Sequence, residues 1–251
     1  MKVIRGKKTL VTGAASGIGR SIALALAREG ADLFLLDNNA EKLSSVIDEA
    51  RALGAEIIGR ECDVSRPSEI DETVQALAAA WGKLDILVNN AGIIYHGETG
   101  KMSDAQWDRL IAINLHAPLL FIRRLLPLLL DRSEAHILNV CSIYGLVPKR
   151  KIAAYQMSKY ALVGLSRSLR CEYGPAGLGV TALCPGLVDT SLLAAARESG
   201  WMAGRFPFPS SLSMSPDRVA ARAVRAIYKN KGLVVLSAHA RFLWAVHRLF
   251  P

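Results

Sequence analysis

The chain is poor in the features that mark exported, metal-bound or nucleic-acid-reading proteins. Its four cysteines, Cys62, Cys141, Cys171 and Cys184, are scattered without CxxC spacing, so neither a zinc site nor a disulfide framework is indicated. They are expected as small buried hydrophobes in a reducing cytoplasm. Residues 1–8 lack the apolar run and small-residue cleavage site of an export signal, so a cytoplasmic location is expected. The most apolar stretch, 110–130, is interrupted by Asn114, His116, Arg123 and Arg124, which argues for a soluble helix over a bilayer span. No basic block exceeds three residues and no nucleic-acid motif appears. The formal charge of +9 therefore reads as a mixed solvated surface, with no nucleic-acid partner expected.

What is present points to an ordered globular chain. Hydrophobic residues make up 51% and charged residues 21%, with no low-complexity segment, and 251 residues suit one α/β domain. Short apolar or β-branched runs at 9–12, 33–36, 56–60, 86–89, 136–140, 180–183 and 233–236 alternate with longer helical segments. Continuous apolar strands such as Ile86-Leu87-Val88, separated by helices, imply a parallel sheet covered on both faces. The expected architecture is a single-domain Rossmann fold over 1–251, a doubly wound seven-stranded parallel sheet. Such sheets bind ligands beyond the carboxyl ends of their strands, so chemistry is to be sought there.

Directly after the first strand stands Thr12-Gly13-Ala14-Ala15-Ser16-Gly17-Ile18-Gly19, opening a helix over 20–28. Glycines let the backbone turn tightly and approach a diphosphate, and free N–H groups at the helix start attract its charge. The spacing is GxxxGxG, and no GK[ST] ending follows. Asp37 ends the second strand, where a carboxylate accepts hydrogen bonds from both adenosine ribose hydroxyls and repels a 2′-phosphate. No Arg or Lys occupies position 16 or 38, so NAD is favoured over NADP. The alternative is that Asp37, with Asn38 and Asn39, only caps the next helix.

Further along, Tyr155 and Lys159 lie four apart, on one face of a helix. A cation beside a phenol favours the phenolate and would make Tyr155 a usable acid or base near neutrality. Ser142 can hydrogen-bond a substrate oxygen, and Lys159 can also reach a nicotinamide ribose. Pro118 has no N–H, so the carbonyl of Asn114 loses its regular helical partner and is left to bind water or bend the helix.

Thr12 to Gly19, taken with Tyr155 and Lys159, resembles the short-chain dehydrogenase/reductase family over nearly the whole chain. Asp63-Val64 looks like the family's adenine-contacting pair, and Asn89-Asn90-Ala91-Gly92 like its NNAG motif. Ser142 precedes Tyr155 by the usual thirteen residues, and Pro185-Gly186-Leu187-Val188-Asp189-Thr190 resembles the PG motif with its threonine. The resemblance implies NAD-binding residues Gly13, Ser16, Gly17, Ile18, Gly19, Asp37, Asp63, Val64, Asn90, Ala91, Gly92, Tyr155, Lys159, Pro185, Gly186, Val188 and Thr190. It implies the catalytic set Asn114, Ser142, Tyr155 and Lys159, with Asn114 holding a water that links Lys159 to a proton relay. A homodimer or homotetramer acting on a secondary alcohol or ketone is expected. NADPH-dependent ketoacyl reduction and a non-catalytic NAD sensor stand as alternatives.

For the substrate, Tyr95, His96, Tyr144, Val147, Trp201 and Phe206 are candidate pocket residues, with 192–216 as a lid over an apolar or amphipathic molecule. Lys149-Arg150-Lys151 near the expected mouth could steer an anion. The tail, 238–251, repeats apolar residues at 242, 243, 246, 249 and 250 among basic ones. It can pack on a neighbouring subunit or lie weakly on an anionic membrane, and its shortness favours the subunit.

Overall fold

The computed structural model describes residues 1–190 and 213–250. Seven parallel strands form one sheet in the order β3-β2-β1-β4-β5-β6-β7. They are β1 (Lys8–Thr12), β2 (Asp32–Asp37), β3 (Ile57–Glu61), β4 (Ile86–Asn89), β5 (Ala135–Val140), β6 (Leu178–Cys184) and β7 (Leu233–Val235). All seven expected strands are present, with ends shifted by one or two residues. The largest shift is at β6, expected from 180 but beginning at Leu178, so that Gly179 pairs with His136 inside the sheet. A Cβ at Gly179 would lie 2.4 Å from the His136 ring, so glycine makes room for a buried histidine.

Along β2, Leu33 and Leu35 join one core, and Phe34 and Leu36 the other. The first core takes in the inner faces of α1 (Gly17–Arg28), α2 (Ala40–Arg51) and α7 (Pro216–Tyr228). The second includes residues of α3 (Pro67–Trp81), α5 (Ala117–Leu130) and α6 (Ala153–Tyr173). The connection from β3 crosses back to β4 beside β1, so the strand order reverses between β1 and β4. A cleft opens there because loops leaving neighbouring strands part in opposite directions.

The apolar stretch 110–130 is not one regular helix. It comprises the end of α4 (Asp104–Ile111), a π turn at Ala112–His116 and α5. Asp104–Leu130 is long and apolar enough to cross a membrane by length and composition, but Ile113, Phe121, Ile122, Leu125 and Leu129 are buried in the core. Next to Pro118 the helix widens into this π turn, in which Ala117 N–H bonds back to Ala112 O, five residues earlier. Cys171 departs from the burial expected of it. Leu162, Val163, Ser166 and Leu169 form the inner face of α6 and leave Cys171 exposed, whereas Cys62, Cys141 and Cys184 are buried.

Candidate active site

Tight packing explains the glycines. Gly13 has φ +65°, and a Cβ there would sit 2.9 Å from Ala91 Cα; at Gly19 it would sit 2.0 Å from Gly13 O. Gly17, at φ +52°, begins α1 three residues before the expected helix start. Asn90 fastens the loop after β4 to this turn: its Nδ2 donates to Thr12 O and Gly13 O, each at 3.0 Å. Thr12 Oγ1 in turn accepts from the N–H groups of Asn90 and Ala91, at 3.0 and 3.1 Å.

Between these loops lies a cleft of about 410 Å³. Its lining brings together Gly13, Ser16, Gly17, Ile18, Asp37, Asp63, Val64, Asn90, Ala91, Gly92, Tyr155, Lys159 and Thr190. Asp37 faces it with Oδ2 accepting from Ala15 N–H at 2.9 Å and Oδ1 from Asn39 N–H at 3.0 Å. The cap of α2 is Asn39, whose side chain accepts from Lys42 N–H. Asp63 is held by Ser65, whose N–H and hydroxyl both donate to Oδ1. Burial pushes the Asp63 pKa up, but these bonds and the charges of Arg109 and Arg66 outweigh it and leave it lowered.

Asn38, beside Asp37, also lines the cleft, as do Arg109, Ile93 and Cys141, which were not legible in the sequence, since α4 and the strand ends meet only on folding. Gly19 lies outside the lining, beneath Gly13. Pro185, Gly186 and Val188 line a neighbouring pocket of about 80 Å³, together with Ser142, Tyr144 and Ile94. Tyr155 and Thr190 border both cavities. Tyr95 and Val147 line neither: Tyr95 packs on the cluster around Leu110 and Ile152, and Val147 O accepts from Gln156 Nε2. His96 also lies outside both linings. Trp201, Phe206 and most of the 192–216 segment fall outside the described residues.

Where the cavities meet, Tyr155 is 7% exposed and Lys159 4%. The two share one face of α6, as their spacing requires, with the ammonium 5.7 Å from the ring centroid. The ammonium donates to Val140 O at 2.9 Å, at the end of β5. Burial pushes the Tyr155 pKa up to about 12 despite a hydrogen bond from Ser142 that lowers it, and burial also lowers that of Lys159. Burial thus opposes the phenolate expected from the sequence, since it disfavours the charged form of the phenol. Ser142 Oγ accepts from Tyr144 N–H at 3.1 Å, which fixes the hydroxyl at the edge of the smaller pocket.

Asn114 is wholly buried, and its amide is a three-way clamp. Oδ1 accepts from Ile93 N–H at 2.8 Å, and Nδ2 donates to Ile93 O at 2.9 Å and to Ser158 Oγ at 3.2 Å. The side chain therefore ties the loop after β4 to α6. A Cβ on Gly92 would lie 3.4 Å from Asn114 Oδ1 and 3.5 Å from Lys159 Nζ, which brings all three residues to one point.

A chain with this architecture has many relatives. It is 34% identical over 258 aligned residues to the "Probable oxidoreductase EphD" of Mycobacterium tuberculosis, which covers 96% of this chain and 43% of that protein. The chain thus spans less than half the length of that relative. A variant of actinorhodin polyketide ketoreductase solved with NADPH superposes with a TM-score of 0.86 at 29% identity, over 97% of this chain and 99% of that one. A short-chain dehydrogenase/reductase from Burkholderia phymatum solved with NAD gives 0.87 at 27% identity, over 99% and 96%. The family model described as short chain dehydrogenase matches residues 7–200, which include β1 to β6 and the residues lining both cavities, and the chain belongs to that family.

Proposed function

We propose that the chain is an NAD-dependent oxidoreductase interconverting a secondary alcohol and its ketone, on an apolar or amphipathic small molecule. The carrying observation is the meeting of Ser142, Tyr155 and Lys159 where the glycine-lined cleft joins the smaller pocket. A dinucleotide in the cleft is supported by the glycine turn after β1 and the start of α1, which line it and offer free N–H groups to a diphosphate. Gly13, Ser16, Gly17 and Ile18 would hold the diphosphate, Asp37 the adenosine ribose, and Asp63 and Val64 the adenine. Asn90, Ala91, Gly92, Lys159 and Thr190 would hold the nicotinamide half, with Pro185, Gly186 and Val188 supporting it. When bound, the nicotinamide supplies the hydride acceptor or donor.

The chain's own residues do the rest. Ser142 orients the substrate oxygen, and Tyr155, protonated near neutrality, donates its proton to a ketone, while in the reverse direction its phenolate withdraws the proton of the alcohol. Lys159 positions the ribose and, with Asn114, anchors the proton path, in which a water held near Asn114 O passes protons onward. Residues 192–216 act as the lid, the protein works in the cytoplasm, and it assembles as a homodimer or homotetramer.

NADPH-dependent ketoacyl reduction is the second reading, favoured by the likeness to a ketoreductase solved with NADPH. Asp37 opposes it, since its carboxylate faces the cleft and would repel a 2′-phosphate. Fluorescence titration with NADH and with NADPH, then a panel of secondary alcohols and ketones, tests the proposal. Tighter NADH and turnover of an alcohol are expected; tighter NADPH with ketone reduction alone would transfer the assignment to the second reading. Tyr155→Phe should abolish turnover while NADH still binds. Unchanged turnover would remove Tyr155 from the mechanism.

A further inference from the structure

The last helix, α8 (Ala238–Leu249), leaves apolar surface in solvent. Phe242, Val246 and Leu249 are 65%, 40% and 74% exposed, and Phe250, just beyond the helix, is 77% exposed. Spacings of four and three put the first three on one stripe. Arg241 and Arg248, seven apart, form the adjoining stripe, and Arg248 lies 5.3 Å from the Trp244 ring centroid. The opposite side of the helix holds it to the body, with Ala240 buried and Leu243, Trp244 and His247 half-buried.

Charge selects the occupant. From Arg218 to Pro251 the sequence has seven Lys or Arg and no Asp or Glu. A symmetric pairing of two copies through α8 would set Arg241 and Arg248 against the arginines of the other copy, and no Asp or Glu between Arg218 and Pro251 is there to pair them. An anionic lipid surface meets both needs, because acyl chains take the apolar ridge and headgroup phosphates take the guanidinium groups. The basic surface of α7 adds to the charge that the helix by itself supplies sparingly.

We propose that α8 is an in-plane anchor that docks the protein on anionic membranes. Its position bears on the active site. A Cβ on Gly186 would lie 2.9 Å from Ser237 Oγ and 3.3 Å from Ala240 Cβ, so the helix starts directly behind a wall of the smaller pocket. A lipid-borne alcohol or ketone is the substrate class that this placement serves. That last step rests on the oxidoreductase reading, whereas the docking itself does not.

Cosedimentation of the full chain with sucrose-loaded vesicles tests docking, using phosphatidylcholine alone and phosphatidylcholine mixed with phosphatidylglycerol. At low salt the partition coefficient should be about tenfold higher on the anionic vesicles, and it should fall in ~0.5 M NaCl. Two variants, Phe242→Ser with Leu249→Ser and Arg241→Gln with Arg248→Gln, should each lower it about tenfold without changing NADH binding. The arginine variant keeps the test open if the apolar one misfolds. Absence of binding to either vesicle, or binding that neither variant weakens, overturns the proposal. So does a vesicle-free oligomer, seen by light scattering, that the Phe242 and Leu249 changes dissociate, since the ridge would then belong to a second copy.

Discussion

Lys159 stands one helical turn after Tyr155, yet its ammonium is bonded to the carbonyl of Val140 at 2.9 Å and lies 5.7 Å from the phenol ring centroid. In the proposed mechanism this makes Tyr155 a proton donor at neutral pH. A lysine held by β5 positions the base of the cleft, and the phenol keeps its proton because both groups are buried.

That fixes the sign of the pH dependence. With the Tyr155 pKa pushed up to about 12, the donor form is fully populated through neutrality. Ketone reduction should be flat between roughly pH 6 and 10, while alcohol oxidation, which needs the phenolate, should climb about tenfold per pH unit across that range. Steady-state profiles in both directions check this; a reduction rate that breaks near pH 7 would contradict it.

Asn114→Ala removes three hydrogen bonds from a fully buried site and leaves Ile93 N–H and O unpaired. Stability should fall by about 2–4 kcal/mol, read from urea midpoints at constant m. Turnover should fall with it, since the same amide ties the cleft loop to the helix bearing Tyr155.

At Gly19 a Cβ would meet Gly13 O at 2.0 Å, and backbone cannot swing aside as a side chain can. Gly19→Ala should weaken NADH binding by about tenfold or more and cost about 2 kcal/mol of stability. Calorimetric titration and thermal melts separate the two effects.

Asp37→Ala removes the carboxylate from the cleft and the acceptor for Ala15 N–H. NADH affinity should drop about tenfold, while NADPH binding should hold or tighten, narrowing the ratio between them. An unchanged ratio, measured by fluorescence titration, would mean that the carboxylate does not select the cofactor.

His136 is buried in β5, its Nε2 2.8 Å from Thr181 Oγ1, and burial lowers its pKa to about 3. The folded state binds fewer protons than the unfolded state between about pH 3 and 6.5, so stability rises with pH across that window and is lost on acidification. His136→Gln should flatten the denaturation profile below pH 6.5, by the share this residue contributes.

The sequence by itself determined the layered architecture and the location of the site. Apolar runs separated by helical periods dictate a parallel sheet; the glycine loop and Ser142 follow strands that could be read directly, Asp37 ends one, and Tyr155 lies on the helix after β5. Local chemistry is enough for this, because strand polarity and glycine geometry are local properties. Tertiary structure alone decided the rest. Whether Lys159 acts on the phenol depends on Val140, nineteen residues away on another element. The role of the Asn114 amide depends on Ile93 and Ser158, and Arg109 enters the cleft only when α4 closes over the strand ends. Desolvation, which holds the proton on Tyr155, is set by everything packed around the residue, and no spacing along a chain encodes it.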